Sequence, residues 1–582
     1  MSGLLRCCED FFTAHRKQLL PAGLCSGAFT ALFLLIGMQA WNPLAVALFW
    51  GIAFLCSIAG FSRRVGKKEG ILCGLFCLSV CFCLQGQLTL SGLLQFNLTF
   101  AILLLLFAAT AFPACLGLCR LLAAAQIPFC PAPACSTKKR LLFYTVIILI
   151  CWTPMFLCWG PIRLDVDSVQ LLEQAFHGGL NDAHPIAYTL LLRLVIGPFY
   201  HLGVTELGAY LFGALQMTAV AAALAYSLVW MRQRGSGRLP VFAGFALFCG
   251  TTAYTFQSMV AWKDPLFNAV LLLYTLFLFD TACCRGKNLQ QKKGILHFVV
   301  LTLLLCFLRG NGWLIAVVVC CCLAAFAPCR KTLVRVFLPL LVAIKLITGP
   351  GYAILGIQST LGAESWAMPL QQLGYVAANA PQDFSPQQQE TLSHVISVEA
   401  LGQTYSSVTV DPIKTSSEFN AEYFKTTQGK LDLLSVWIQM MPSHLGDYAK
   451  AWLMETAMYT NPRFDAGTYS FPYEGSNGSF GISSKDIVSY FTGWQGLRSE
   501  LESRATFIPP AILAFGLVLC GIVLVLRRQA HRLIAYLPMY LVWVGLLLGS
   551  PSYAQFRYVL VFAFALPSAL FMLFAPPQEQ KY

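Results

Sequence analysis

Long apolar runs, broken by shorter polar connections, set the plan of this chain. They fall at about 19–39, 41–61, 70–90, 92–118, 141–160, 207–231, 239–257, 265–284, 294–308, 313–328, 333–350, 507–526, 533–549 and 558–575. A hydrocarbon slab about 30 Å thick takes about 20 apolar residues per helical crossing. The pattern therefore predicts an all-α polytopic membrane protein with about 14 transmembrane helices. Met1–Gln18 is polar and the run after it is long enough to span, so that run reads as a first crossing rather than a removable signal.

The connections set the orientation. Lys and Arg gather at Arg16–Lys17, Arg63–Lys68, Lys138–Arg140, Arg232–Arg238, Arg285–Lys293, Arg330–Arg335 and Arg527–Arg532, in every second connection, as cytoplasmic loops do. Parity makes the chain multi-pass in the cytoplasmic membrane with both termini cytoplasmic. It also counts the two short runs between Gly294 and Pro328 as two crossings. Ile186–Leu202, taken as a crossing, would put Arg232–Arg238 outside; it reads instead as a helix at the outer interface or re-entering it. On the extracytoplasmic side lie 161–206, the turns Trp262–Pro265 and Arg309–Gly312, the long segment 351–506, and Ser550–Arg557.

Composition supports this plan. The 582 residues are 57% hydrophobic and 11% charged, with mean hydropathy +0.66. That excludes an ordinary soluble protein, in which about a quarter of residues are charged. The net charge of +13 is unevenly spread: 351–506 holds 15 acids and 8 bases, the remainder 31 bases and 11 acids. The acidic segment is a water-facing domain, mostly helical by pattern. Ser385-Pro386-Gln387-Gln388 supplies an N-cap, a Pro at N1 and a Gln at N3, and an amphipathic run over Leu431–Met458 is interrupted at Pro442. Four parts result: an N-terminal four-span accessory region, 1–140; a membrane core, 141–350, with an acidic outer loop 161–206; the extracytoplasmic domain, 351–506; and a C-terminal three-span region, 507–582. The 23 cysteines avoid the two longest polar segments, so no disulfide framework is expected there, and most read as small apolar side chains.

The densest polar constellation, Trp159–Leu191, holds Asp165, Asp167, Glu173, Asp182 and His184. Carboxylates two residues apart can hold a divalent cation or supply a general base. Asp167-Ser168-Val169-Gln170 equally reads as an N-cap with Gln170 at N3, opening a helix that stops at Gly178-Gly179 and leaving Asp165 freer to be the base. His184-Pro185 reads as a helix entry. Lys263-Asp264-Pro265 reads as an ion pair at a helix start with Asp264 at the N-cap, and Arg309-Gly310-Asn311-Gly312 as a tight turn. Five bases in the short outer segments, Arg163, Arg193, Lys263, Arg309 and Arg557, run against the orientation signal. Lys345 sits inside an apolar run, where a charge usually has a partner. Parity brings Asp165, Asp167, His184, Lys263, Arg309 and Arg557 to one membrane face. Acids and bases converging there can deprotonate an acceptor and neutralise a leaving phosphate.

An acidic motif in the first outer loop of a core, followed by a His-Pro segment, resembles the GT-C superfamily of polyprenyl-phosphate-sugar-dependent membrane glycosyltransferases. Pro161–Pro185 with Asp167-Ser168 and His184-Pro185, then Lys263-Asp264, Arg309-Gly310-Asn311-Gly312 and Phe556-Arg557-Tyr558, is similar to an uncharacterised bacterial glycosyltransferase-like membrane protein family. The resemblance covers about 141–575. It implies a GT-C-like core, Asp165 or Asp167 as catalytic base, and a lipid-linked phosphosugar as donor. Arg557, Arg309 and Lys263 are then the donor phosphate ligands, and His184, Gln170, Asp264 and Asn311 the substrate-binding or positioning residues. The loop lacks the adjacent Asp-Glu pair of the superfamily, so a divalent cation (Mg or Mn) on Asp165 and Asp167 stays open. The expected partners are the polyprenyl-phosphate-linked sugar, membrane lipids and an envelope glycan, lipid or protein acceptor, with no nucleic acid.

The expected function is sugar transfer to a cell-envelope acceptor at the extracytoplasmic face. Trp437, Trp452, Tyr459 and Trp494 read either as an acceptor-binding wall or as the core of the outer domain. The alternatives are a multi-span transporter, which would place ionisable sites near the bilayer midplane, and a polymerase or ligase of lipid-linked glycans, which also combines many spans with a large late outer loop.

Overall fold

The computed structural model describes residues 13–37, 42–130, 136–360, 363–462, 478–503, 508–549, 552 and 555–576. Both chain ends, and with them the expected cytoplasmic termini, lie outside the described residues. Among the described residues there are helices and three isolated bridges, with no strand. Ten helices are long and apolar enough to cross a membrane, and the bent pair Arg238–Gly250 and Thr252–Met259, turned by 57°, makes eleven. The protein is an all-α polytopic membrane protein.

Each of the fourteen apolar runs overlaps a helix among the described residues, but apolar length and helix length differ. Lys292–Leu308 and Pro510–Leu526 have 17 residues and Asn311–Leu323 has 13. At 1.5 Å per residue the last is only about 20 Å long, short of the hydrocarbon slab. Ile186–Val195, with ten residues, is shorter still and is followed at once by Gly197–His201.

Lys263–Cys283 runs through the centre of the membrane core. It packs against Thr205–Gln233, Lys292–Leu308, Leu533–Gly549 and Leu560–Phe574, and most of its side chains are buried. Leu20, Leu44, Ile52, Leu98 and Leu142 are exposed on the outer surface, as a lipid-facing surface requires. In the N-terminal part, Pro43–Phe61 and Leu98–Ala124 touch backbone to backbone. A Cβ on Gly117 would lie 1.6 Å from the Cys56 carbonyl oxygen, so only glycine fits there.

The segment 363–449 builds a hydrophobic core of its own around Leu370, Leu373, Leu392, Leu401, Phe424 and Leu433. Ser385 caps Pro386–Ser393 with Gln388 returning the bond, and the chain breaks between Thr427–Met440 and Leu445–Glu455, around Pro442. Trp437 stacks on Tyr448, the Trp452 indole donates to the Leu547 carbonyl and Tyr459 is fully buried, so these three serve packing; Trp494 is exposed.

Candidate functional site

Backbone bonds first bring the acidic loop to the central helix. Arg163 N–H donates to the Met259 carbonyl (3.1 Å) and Ala261 N–H to the Arg163 carbonyl (3.0 Å). This bridge fixes the loop against the chain leaving the bent helix pair, just before Lys263. Gln216, buried in Thr205–Gln233, donates to the carbonyls of Ser258 (2.9 Å) and Val260 (2.6 Å) and accepts from the Tyr188 hydroxyl (2.9 Å). Buried Asn268 donates to the carbonyls of Asp264 (2.8 Å) and Arg557 (3.0 Å) and accepts from Val561 N–H (2.9 Å). One amide thereby joins the central helix to the segment that carries Arg557.

The charged side chains then meet. Arg557 Nη1 donates to Asp167 Oδ2 at 2.7 Å, and its guanidinium lies 4.3 Å from the Trp262 ring centre. Arg309 donates to the fully buried Asp264 at 2.8 Å and lies 4.6 Å from the Tyr558 ring, which also neighbours Arg557. Lys263 Nζ is 3.0 Å from His184 Nδ1, and His184 Nε2 is 3.2 Å from Gln170 Oε1. An ammonium only donates, so Nδ1 accepts and the ring proton sits on Nε2, donated to Gln170. Asp167, Gln170, His184, Lys263, Asp264, Arg309 and Arg557 are thus brought to one locus, with Asp165 near enough to feel the charges of Arg557 and Asp167.

Two caps differ from the sequence reading. The N-cap of Val166–His177 is Asp165, whose carboxylate accepts from Val166 N–H at 2.8 Å; Asp167 lies inside the first turn, where it is free to pair with Arg557. The helix does end at Gly178, at φ 87°. The N-cap of Lys263–Cys283 is Trp262 rather than Asp264, because the Arg163 bridge holds the chain extended up to Trp262 and the helix starts immediately after. Lys263 and Asp264 do not pair with each other. Successive helical residues point apart, so Lys263 meets His184 and Asp264 meets Arg309.

The two loop carboxylates have opposite electrostatics. Burial raises the pKa of Asp165, and the Val166 N–H and Arg557 only partly offset it. Burial also opposes ionisation of Asp167, but Arg557 and Lys263 outweigh it and hold its carboxyl at about 2. Asp165 is therefore the better proton acceptor, and Asp167 the fixed anion.

Other predicted residues stand apart. Asn311 is exposed at the start of its helix and hydrogen-bonds to none of these groups. Glu173 pairs with His177, and Asp182 accepts from Thr360 N–H and hydroxyl. Lys345 places its ammonium 5.0 Å from the Trp313 ring. Asn268, Gln216 and Trp262 were not singled out from the sequence. The two amides carried a signal, since each is a polar side chain inside a long apolar run. Among the described residues, no third His, Cys or acidic ligand atom lies close enough to Asp165 and Asp167 to complete a cation site, and Asp167 is already matched by Arg557.

Fold and site together define a polytopic helical membrane protein with an acid–base cluster at the start of its central helix. The chain belongs to DUF6020, a family of unknown function, whose model matches residues 175–581. His184, Lys263, Asp264, Arg309 and Arg557 fall inside that match, and Asp165, Asp167 and Gln170 just before it. No curated protein and no solved structure matches the chain.

Proposed function

We propose that the protein is a membrane glycosyltransferase with a GT-C-like core, moving a sugar from a polyprenyl-phosphate donor to a cell-envelope acceptor at the extracytoplasmic face. The observation that supports this reading is the meeting of Asp165 and Asp167 with Arg557, Arg309 and Lys263. Asp165 takes the proton of an acceptor hydroxyl as its oxygen attacks the anomeric carbon. The bond from that carbon to the donor phosphate oxygen breaks, and the three cations hold the departing polyprenyl phosphate. A single displacement inverts the anomeric centre. Asp167 positions Arg557, Asp264 positions Arg309, and Gln170 and His184 position Lys263. No step requires Mg or Mn on Asp165 and Asp167.

In this reading all fourteen apolar helices belong to the membrane region, both termini are cytoplasmic, 161–206 and 351–506 face outward, and 1–140 is an accessory to the core. An apolar groove of about 540 Å³ lined by Trp313, Val317, Leu338, Leu341 and Lys345 offers the lipid chain a place beside the helix that follows Arg309.

The test supplies membranes containing the protein with a polyprenyl-phosphate-linked radiolabelled sugar and follows label into envelope acceptors. Wild type transfers label, and Asp165→Asn does not while still eluting as a folded protein. Normal transfer by both Asp165→Asn and Asp167→Asn sinks the assignment; tolerance of both with sensitivity to the Arg changes favours a polymerase or ligase. A transporter is the second reading, favoured by the 57° helix break and by the π-helical stretches Leu333–Phe337 and Ile347–Gly351, since transporters use broken helices. Substrate flux in sealed proteoliposomes without sugar transfer would establish it.

A further inference from the structure

Far from the charged cluster in sequence, and before the family match begins, four thiols gather between two membrane helices. Cys73 and Cys77 stand one turn apart on Lys67–Leu90, and Cys115 and Cys119 one turn apart on Leu98–Ala124. The i,i+4 spacing puts each pair on one helix face, and the short connection 91–97 folds the two helices against each other. Cys73, Cys77 and Cys119 are buried and Cys115 is half-buried. The sulfurs of Cys73, Cys115 and Cys119 lie within 4.8 Å of one another, and Cys115 also packs against the apolar cluster that contains Cys77.

Packing accounts for buried cysteines, which fill space as small apolar side chains, but it does not require their sulfurs to converge from two helices. Metal binding does. A zinc–thiolate bond of about 2.3 Å puts the sulfurs of a tetrahedral site about 3.8 Å apart. For Cys73, Cys115 and Cys119, closing from 4.8 Å needs sulfur shifts of about 1 Å or less, within reach of small side-chain rotations. Arg120 follows Cys119 in the chain, and its guanidinium donates to Glu69 and to the carbonyls of Gly60, Arg63 and Arg64, leaving Nε buried with no hydrogen-bond partner among the described residues.

We propose that Cys73, Cys77, Cys115 and Cys119 form a thiolate site for a soft d10 cation, zinc or cuprous copper, that fastens these two helices together. Soft sulfur ligands select these ions over Mg or Ca. Cys73 and Cys77 lie six and ten residues after Lys67, and Cys119 and Cys115 five and nine before Ala124, so the site spans about 8–15 Å inside the helix ends that adjoin the basic connection Arg63–Lys68. An ion entering from that end displaces one proton from each thiol it binds, and the proton leaves to solvent.

The test is elemental analysis of the full-length protein, purified in detergent without chelator, beside Cys73→Ser/Cys119→Ser and Cys81→Ser/Cys83→Ser double variants. Wild type and the Cys81/Cys83 variant should carry about one zinc or copper ion per chain, and the Cys73/Cys119 variant about tenfold less. The element found decides between the two ions. Should the Cys73/Cys119 variant fail to fold, wild type stripped and reloaded with cobalt should show sulfur-to-cobalt charge-transfer absorption, abolished by prior thiol alkylation. Equal metal in all three proteins would overturn the site. So would wild type that holds no metal as isolated and takes up none of zinc, cuprous copper or cobalt.

Discussion

Arg557 donates to the Asp167 carboxylate across 2.7 Å, although 390 positions separate them in the chain. The contact joins the loop after the fifth apolar helix to the last membrane helix, and with both side chains largely buried it leaves little water to compensate either charge. Asp167→Asn keeps the shape and removes the charge, leaving a buried guanidinium unmatched. We expect a loss of about 3 kcal/mol, and a smaller combined loss in Asp167→Asn/Arg557→Gln than the two single losses summed. Thermal unfolding in detergent across the four proteins measures that coupling; strict additivity would mean the pair is not held as described.

The proton acceptor has a pH signature. Asp165 must be ionised to act as base, and burial raises its pKa above the usual value of about 3.9. In the proposed reaction, sugar transfer should therefore fall as pH drops through a midpoint above the ordinary Asp value, and Asp165→Asn should slow transfer by about 10²–10⁴-fold while lipid binding persists. A pH–rate profile checks this. An acid limb near pH 2 would instead assign the base to Asp167.

Glu455 predicts a second pH effect, away from the cluster. Among the described residues neither of its buried carboxyl oxygens has a hydrogen-bond partner, and burial pushes its pKa up to about 8. The folded pKa lies above the unfolded value of about 4.3, so the stability it contributes is full below about pH 4 and is lost as pH rises to about 8. The loss is on the order of 3–5 kcal/mol. The melting temperature of wild type should fall across that window, and Glu455→Gln should flatten the decline.

Asn268 holds the site from behind. Asn268→Ala leaves the Val561 N–H and the Arg557 carbonyl without their partner, which should cost about 2–3 kcal/mol and loosen Arg557. Asn268→Asp keeps an acceptor for Val561 but loses both donors, so it should not restore lipid retention. Equal melting temperatures for all three proteins would remove Asn268 from the account.

Features that rest on local chemistry were legible in the sequence. The apolar runs fall on helices, Gly178 ends the acidic-loop helix, the Ser385 capping box forms and the chain breaks around Pro442, because each depends on residues a few positions apart. The two caps shifted because a long-range bridge, Arg163 to Val260, fixes where the neighbouring helices begin. Orientation signals singled out Lys263, Arg309 and Arg557 as charges needing an explanation, yet gave no partners: Lys263 and Asp264, adjacent in sequence, turn to different neighbours. The thiol cluster shows the same limit. Its two i,i+4 pairs are visible in the sequence, but their meeting depends on how the helices pack.

In the proposed reaction the cluster around Arg557 and Arg309 holds a lipid phosphate. Native mass spectrometry of the purified protein beside Arg557→Ala/Arg309→Ala tests it most directly. Wild type should retain a polyprenyl phosphate, with the sugar's mass where it is still attached, and the variant should lose it. The same bulk phospholipid on both proteins, with no polyprenyl species even after incubation with polyprenyl phosphate, would contradict it.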